Sequence, residues 1–478
     1  RLRQFLLACP DVDVADVGLS LGAGRAGLEY RAAVWGADRD AVLERLGMVV
    51  AGSDGPGVVR GSAATGRLAV LFTGQGAQWS GMGADLYANY PVFAAAFDEV
   101  CAHIEGLRAV VFDGGGVLEE TGWAQPALFA VEVAVYRLLQ SWGLTPDFLV
   151  GHSVGELAAA YVAGVWDLAD ACRVVLARGR LMQALPGGGA MAAVQASEEQ
   201  VRAVLTAGVE VAAVNGPFSV GVSGDESAVD AVAQHFKAKR LRVSHAFHSA
   251  RMDAMLADFA AVLESVRFVE PSVPIVSAVT GEVDAELTSV GYWVRQVREA
   301  VRFGDAVGVV AGVGVTRFVE VGPDAVLSGV VAEQVPGVCV VPVMRRGRDQ
   351  VGTVMAAVAQ LWVRGWGPDW SVLFRGARRV DLPTYAFQHQ RYWPTVSEPK
   401  VDDEFWTAIG RQDWSALGDE LGLDGAVVGE VVPALSAWRD RRRAASVVDS
   451  WVYREVWEPA EFSGSVGGVW LVVGDGDC

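Results

Sequence analysis

Cysteine is scarce. Cys9, Cys101, Cys172, Cys339 and Cys478 are spread over 478 residues with no C-x-x-C among them, which indicates neither a disulfide framework nor a zinc site and fits a reducing cytoplasm. Histidine is also scarce for this length, at six. Positive charge is also short: 39 basic against 57 acidic residues give a net charge of -18. A nucleic-acid backbone needs a basic face, so it is excluded as the natural partner, and an anionic ligand would need a local arginine. No apolar run of about 18 residues and no basic segment leading into an apolar stretch occurs, which argues against membrane insertion and secretion. The chain starts without Met and stops on the strand-like "VWLVVGDGDC". Both ends are expected to be cuts through a larger polypeptide.

What remains is the composition of a globular protein, 52% hydrophobic and 20% charged, with 16 Trp. General disorder is excluded. At roughly 100 to 200 residues per domain, the length allows two to four units. Residues 1–66 combine alternating runs such as "LEYRAAVWG" with the helical "DRDAVLERL" and a Gly/Ser stretch, and read as an adapter and linker. From 67 to 365 strands and helices alternate: "RLAVLFTG" and "DFLVGHS" are strands, "PVFAAAFDEVCAHI" and "PALFAVEVAVYRLLQSWG" amphipathic helices. That order predicts an α/β core with a mainly parallel sheet.

Within it, about 190–247, the order is βαββαβ, that of an inserted ferredoxin-like subdomain ending on the strand "KRLRVS". Two lobes imply a cleft. Residues 366–396 read as an extended strap. In 397–450, Phe405, Ile409, Leu417 and Leu421 share a helical face broken near Asp413, and "PALSAWRDRRRAAS" is a second helix, together a packing or dimerisation element.

The strongest local chemistry is "GHSVGE", a G-x-S-x-G between a strand and a helix. Small residues at Gly151 and Gly155 let a tight turn push Ser153 Oγ clear of the sheet, and the helix start supplies free N–H groups for an oxyanion. A serine needs a base. His152 adjoins Ser153 and is expected to point away; His103, His235 and His389 read as structural or surface groups. His245 and His248, in "SHAFHS" after the last small-lobe strand, both remain candidates. "FTGQGAQW" offers the backbone N–H of Gln75 to a reacting carbonyl, and Arg178 in "LARGRLMQ" is a solvated arginine unless a carboxylate ligand exists.

In this order and at these separations, "GQGAQW", "GHSVGE", "RGRLMQ" and "HAFHS" resemble the acyltransferase domain of modular type I polyketide synthases, a relative of malonyl-CoA:acyl-carrier-protein transacylases. The resemblance implies a hydrolase-like core, a Ser153 nucleophile and a His248 base. It implies oxyanion donors at Gln75 and Val154, and Arg178 as the clamp on a malonyl carboxylate. The backbone carbonyl near Arg302 would orient the imidazole, with Asn215 supporting the site. His245 and Phe247 would set the choice of acyl group: methylmalonyl-loading members usually carry Tyr-Ala-Ser-His where this chain has His-Ala-Phe-His, and the phenyl ring fills the place of an α-methyl. "EETGWAQ" resembles a stretch that accompanies malonyl preference, with Trp123 where Tyr is commoner.

The flanks resemble a ketosynthase-to-acyltransferase linker (1–66), a post-acyltransferase linker (366–396), a helical dimerisation element (397–450) and the truncated start of a ketoreductase (451–478). Implied partners are malonyl-CoA, an acyl carrier protein, neighbouring ketosynthase and ketoreductase domains, and a second copy through 397–450. No resident cofactor, bound nicotinamide or metal is expected, phosphopantetheine belonging to the carrier. Two competing readings make distinct demands. A hydrolase or thioesterase needs an acid and then a histidine late in the domain, and an inert scaffold needs no reactive serine.

Overall fold

The computed structural model describes residues 1–283, 286–385 and 409–449. Phe405, His389, Cys478 and the expected strand near 470 lie outside the described residues. The chain divides into two compact units, Arg1–Tyr385 and Ala386–Cys478.

The first unit is built on a five-stranded parallel sheet. With β1 (Tyr30–Val34) and β2 (Val58–Ser62) forming a separate antiparallel pair, the sheet strands are β3 (Arg67–Phe72), β4 (Phe148–Gly151), β9 (Ile275–Val276), β10 (Val315–Val321) and β11 (Cys339–Pro342). Their order is β11-β10-β3-β4-β9. Leu68 to Phe72 are all buried, as expected of a strand covered on both faces, where alternation gives way to a continuous apolar run. Register pairs Phe72 with both Gly151 and Val321. The carboxyl ends of β3, β4 and β10 are therefore level, and the turns after them open on one edge, the usual ligand edge of a parallel sheet.

The helix Thr121–Ser141 is buried around most of its surface, including Glu132, whose Oε1 accepts a 2.6 Å hydrogen bond from the Thr73 hydroxyl. It begins five residues before the expected "PALF" start, because Pro126 sits inside it. Pro126 falls near the amino end, where the missing N–H costs least.

The small lobe has strands β5 (Gly189–Val194), β6 (Val209–Gly216), β7 (Ser219–Asp225) and β8 (Ala238–Arg240), ordered β6-β7-β5-β8 and antiparallel throughout. That is the ferredoxin-like order. The last strand is shorter than expected: it ends at Arg240, which pairs with Glu226 and Asp230, and one further backbone bond, Leu241 N–H to Met191 O at 2.9 Å, closes the ladder. His245 and His248 thus stand on an irregular segment beyond the sheet rather than directly after a strand. A seam joins the lobes, Val214 N–H donating to Val301 O at 2.8 Å and Val301 N–H to Ala212 O at 2.9 Å.

The strap is tied to the adapter. Arg378 N–H donates to Asp16 and Val380 N–H to Ser20, both on the helix Val14–Gly24. Gly18 and Gly22, one turn apart on that helix, leave the groove in which Phe374 and Trp370 lie; a β-carbon at either glycine would come within 2.4 Å of those rings. The strap contains a short helix, Trp370–Leu373, where extended chain was expected, capped by the Asp369 carboxylate.

In the second unit Asp413 caps the helix Trp414–Leu421, so the expected break is a helix start, and Gly425–Asp449 follows. Ile409, Leu417, Val428 and Val432 form its small core. Leu421, expected on the same face, is 44% exposed because it ends the helix. Among the described residues no single helix is long and apolar enough to cross a membrane.

Candidate active site

The elbow after β4 is forced by its glycines. A β-carbon on Gly151 would lie 2.2 Å from the backbone of Glu156, and one on Gly155 would lie 2.4 Å from the Thr73 carbonyl oxygen. Neither position can carry a side chain, so strand, turn and helix close tightly enough to hold Ser153 in the left-handed region, at φ 52°. Strain of this kind collects where a side chain must be presented at a fixed angle.

Ser153 Oγ lies 2.7 Å from His248 Nε2. The other ring nitrogen, Nδ1, lies 2.9 Å from the backbone carbonyl oxygen of Glu299. A carbonyl only accepts, so Nδ1 carries the hydrogen and Nε2 is left free to take the serine proton. This geometry separates the two histidines that the residues alone left open. It also puts the orienting carbonyl, expected near Arg302 in "EAVRF", on Glu299 at the start of that stretch and corrects the choice of Arg302 itself. Arg302 heads the next helix, and its guanidinium pairs with Glu198 and Asp305 away from the imidazole. The chain kinks at Glu299, the cap of Val290–Arg298, and this kink aims the carbonyl.

Arg178 is almost completely buried in the helix Leu168–Gln183. Its Nη2 donates to Ser153 Oγ at 3.1 Å and to Gln296 Oε1 at 3.4 Å, and its Nη1 donates to Gln125 Oε1 at 2.8 Å. Gln296 Nε2 also holds the Ser153 carbonyl at 2.7 Å. Gln125 and Gln296 were not singled out from the sequence. Each is an amide on the apolar face of a buried helix, and that polarity was the available signal.

Burial dominates the electrostatics. It pushes the His248 imidazole down to about 3, with Arg178 and His152 adding repulsion and the Glu299 carbonyl opposing. Burial also pulls Arg178 down to about 9 and pushes Glu156 up to about 7. Glu156 Oε1 accepts from Ala278 N–H at 2.7 Å and from the Tyr292 hydroxyl at 2.5 Å, beneath the elbow. The result is a neutral base beside a cation: a site suited to a serine nucleophile and an anionic acyl group.

The remaining expected residues fall around this centre. The backbone N–H groups of Gln75, on the turn after β3, and of Val154, at the start of the elbow helix, make no backbone hydrogen bond among the described residues, which leaves both available to an oxyanion. Asn215 Oδ1 meets His152 Nε2 at 2.9 Å, so it braces the elbow rather than touching the Ser153–His248 pair. His245 is held by Ser244 and by the Leu185 carbonyl, and its ring centroid is 6.1 Å from that of Phe247. Phe247 is buried in the main core.

Comparison with known proteins identifies the family of the chain. Residues 70–367 match the acyl transferase domain family, and residues 402–444 match the polyketide synthase dimerisation element domain. Polyketide synthase GfsA of Streptomyces halstedii is 47% identical over 96% of this chain, and mycoketide-CoA synthase of Mycobacterium tuberculosis is 44% identical over 94%. The chain spans only 7% and 11% of those two proteins. Among solved structures, the acyltransferase domain from the second module of the salinomycin polyketide synthase is 49% identical with a TM-score of 0.72, covering 80% of this chain and 95% of that one. A malonyl-transacylase solved in complex with its type II acyl-carrier protein is 32% identical with a TM-score of 0.57, covering 61% and 99%. The chain is an enzyme of the acyltransferase-domain family of modular type I polyketide synthases, followed by a polyketide synthase dimerisation element.

Proposed function

We propose that this acyltransferase loads a malonyl unit from malonyl-CoA onto Ser153 and passes it to the phosphopantetheine thiol of an acyl carrier protein. Ser153 Oγ attacks the thioester carbonyl as its proton moves to His248 Nε2, and the resulting oxyanion sits between the N–H groups of Gln75 and Val154. Collapse breaks the C–S bond, and the CoA thiolate leaves with the proton from His248. The carrier thiol then gives its proton to His248 and attacks the malonyl ester, and a second collapse returns Oγ and its proton to Ser153. Each half-reaction is an ester exchange, so the kinetics are ping-pong.

The observation that carries the malonyl assignment is Arg178, buried and 3.1 Å from Ser153 Oγ. Keeping an arginine dry is costly unless an anion is part of the working state, and a malonyl ester on Oγ supplies a carboxylate for its planar fork. Phe247, buried beside His245, is the second selector in this reading: the resemblance puts its ring where an α-methyl would need space, and overpacking costs about 1–3 kcal/mol. The carrier protein is extended to this chain from the malonyl-transacylase complex, and pairing of two copies through residues 397–450 from the dimerisation-element match.

The test is single turnover with malonyl-CoA, with and without a phosphopantetheinylated carrier. Transfer predicts an acyl-enzyme that persists alone and is discharged onto the carrier. Rapid release of free malonate without a carrier would assign a hydrolase instead.

A further inference from the structure

From the geometry we infer that Thr121 and Ser244 are positioning residues, whose hydroxyl-to-hydroxyl hydrogen bond ties His245 to the Gln75 turn and to Arg178. The inference rests on the malonyl reading above and deepens it. Six hydrogen bonds run in series. Arg178 Nη1 meets Gln125 Oε1 at 2.8 Å, Gln125 Nε2 meets Gln75 Oε1 at 3.4 Å, and Gln75 Nε2 meets Thr121 Oγ1 at 3.2 Å. Thr121 Oγ1 then meets Ser244 Oγ at 2.8 Å, Ser244 Oγ meets His245 Nδ1 at 2.9 Å, and His245 Nε2 meets the Leu185 carbonyl oxygen at 3.0 Å.

The two ends fix the direction of every link. A guanidinium only donates, so Gln125 must show Arg178 its oxygen and turn its NH2 group to Gln75. Gln75 then accepts through Oε1 and donates through Nε2, which makes Thr121 an acceptor. At the far end a carbonyl only accepts, so His245 carries its hydrogen on Nε2 and accepts on Nδ1 from Ser244. The Ser244 hydroxyl hydrogen is thereby committed, and the Thr121 hydroxyl must donate to Ser244. The directions imposed from both ends agree at the Thr121–Ser244 link, so all six bonds can be made at once.

Packing holds the line in place. Thr121 is fully buried, and Gly179, next to Arg178, approaches its carbonyl so closely that a β-carbon there would lie 3.0 Å away. The line therefore joins three functions: the turn that presents the Gln75 N–H, the arginine that receives the carboxylate, and the histidine beside Phe247. Loss of the Thr121 hydroxyl leaves Gln75 Nε2 without its acceptor, and loss of the Ser244 hydroxyl leaves the Thr121 hydroxyl without an acceptor and His245 Nδ1 without a donor, so the Gln75 turn, and through Gln125 the fork of Arg178, is held less firmly toward Ser153. The link joins "EETGWAQ" to "SHAFHS", each of which supplies one of the two hydroxyls.

The experiment measures Ser153 acylation by malonyl-CoA and acetyl-CoA in the full chain carrying Thr121→Val, Ser244→Ala, both changes together, or Thr121→Ser. Thr121→Val and Ser244→Ala should each raise the malonyl-CoA KM roughly five-fold, the worth of one hydrogen bond, with a smaller effect on kcat. The double variant should be less impaired than the product of the single effects, because both changes remove the shared Thr121–Ser244 bond although each also removes one bond of its own, and Thr121→Ser should restore the wild-type KM. Should Thr121→Val fail to fold, Ser244→Ala and Thr121→Ser carry the test alone. Wild-type KM in Ser244→Ala, or single effects that multiply in the double variant, overturns the positioning role. The malonyl reading fails separately, if the wild-type chain loads acetyl-CoA as readily as malonyl-CoA.

Discussion

Ser153 and His248, joined by a 2.7 Å hydrogen bond, both hold left-handed backbone conformations, at φ 52° and 54°. Two non-glycine residues in that region on either side of one bond mean that the fold bends backbone on both lobes to bring Oγ and Nε2 together. At Ser153 the strain can be separated from the chemistry. Ser153→Ala keeps the β-carbon and the strain, whereas Ser153→Gly relieves it. Both should abolish acylation, and the glycine variant should be more stable than the alanine variant by about 0.5–1 kcal/mol, left-handed strain relieved less the added freedom of the unfolded chain. Urea denaturation of the two variants checks the difference.

Removing the buried cation should change which acyl group is accepted. Arg178→Ala is expected to lower kcat/KM for malonyl-CoA by about 100-fold or more, the size of losing one side of a buried hydrogen-bonded charge pair. Uncharged acyl-CoA thioesters should gain relative to malonyl-CoA. Competition between malonyl-CoA and acetyl-CoA for Ser153 reads this directly.

The ring of Phe247 should act by bulk alone. Phe247→Ser with His245→Tyr is expected to admit methylmalonyl-CoA, improving its kcat/KM relative to malonyl-CoA by roughly 10-fold or more, within the range set by one methyl-sized group in a pocket. A mixed-substrate assay that resolves the two acyl-enzymes by mass supplies the ratio.

The pH dependence follows from burial. Because His248 is held down to about 3, it stays neutral across the range where an ordinary histidine charges. The profile of kcat/KM should show no falling limb near pH 6.5 on the acid side. Stability behaves accordingly. The unfolded imidazole binds its proton near pH 6.5 and the folded one does not until about 3, so its contribution is complete above pH 6.5 and is lost as pH falls toward 3. Glu156 works in the opposite sense: raised to about 7, its contribution is present below about pH 4.5 and is lost as pH rises through 7. Ionised Glu156 also competes with malonate for the field of Arg178. The malonyl-CoA KM should therefore rise above pH 7 in the wild type and flatten in Glu156→Gln.

Much of this site could be read in advance because it depends on short-range geometry. Gly151 and Gly155 are demanded because a β-carbon at either would lie 2.2 or 2.4 Å from neighbouring backbone, and a two-glycine turn between a strand and a helix announces itself in any sequence. Alternation of strands and helices likewise yields the parallel sheet and the βαββαβ lobe. The orienting carbonyl could not be read in that way, since every residue has one. Choosing Glu299 over Arg302 depends on where the helix Val290–Arg298 ends and the chain turns. Gln125 and Gln296 were hidden for a related reason: their roles arise from three helices meeting at Arg178, a contact between segments more than 50 residues apart. The end of β8 at Arg240 was missed because the run "KRLRVS" keeps a strand-like alternation after the ladder with β5 has ended.

The most direct measurement of malonyl transfer through Ser153 is the intact mass of the chain after brief exposure to malonyl-CoA, with the adduct mapped by peptide sequencing. The expected result is one malonyl group on Ser153, none in Ser153→Ala, and far less labelling from methylmalonyl-CoA at equal concentration. A wild-type chain that takes up no acyl group, or that carries it on a residue other than Ser153, would contradict it.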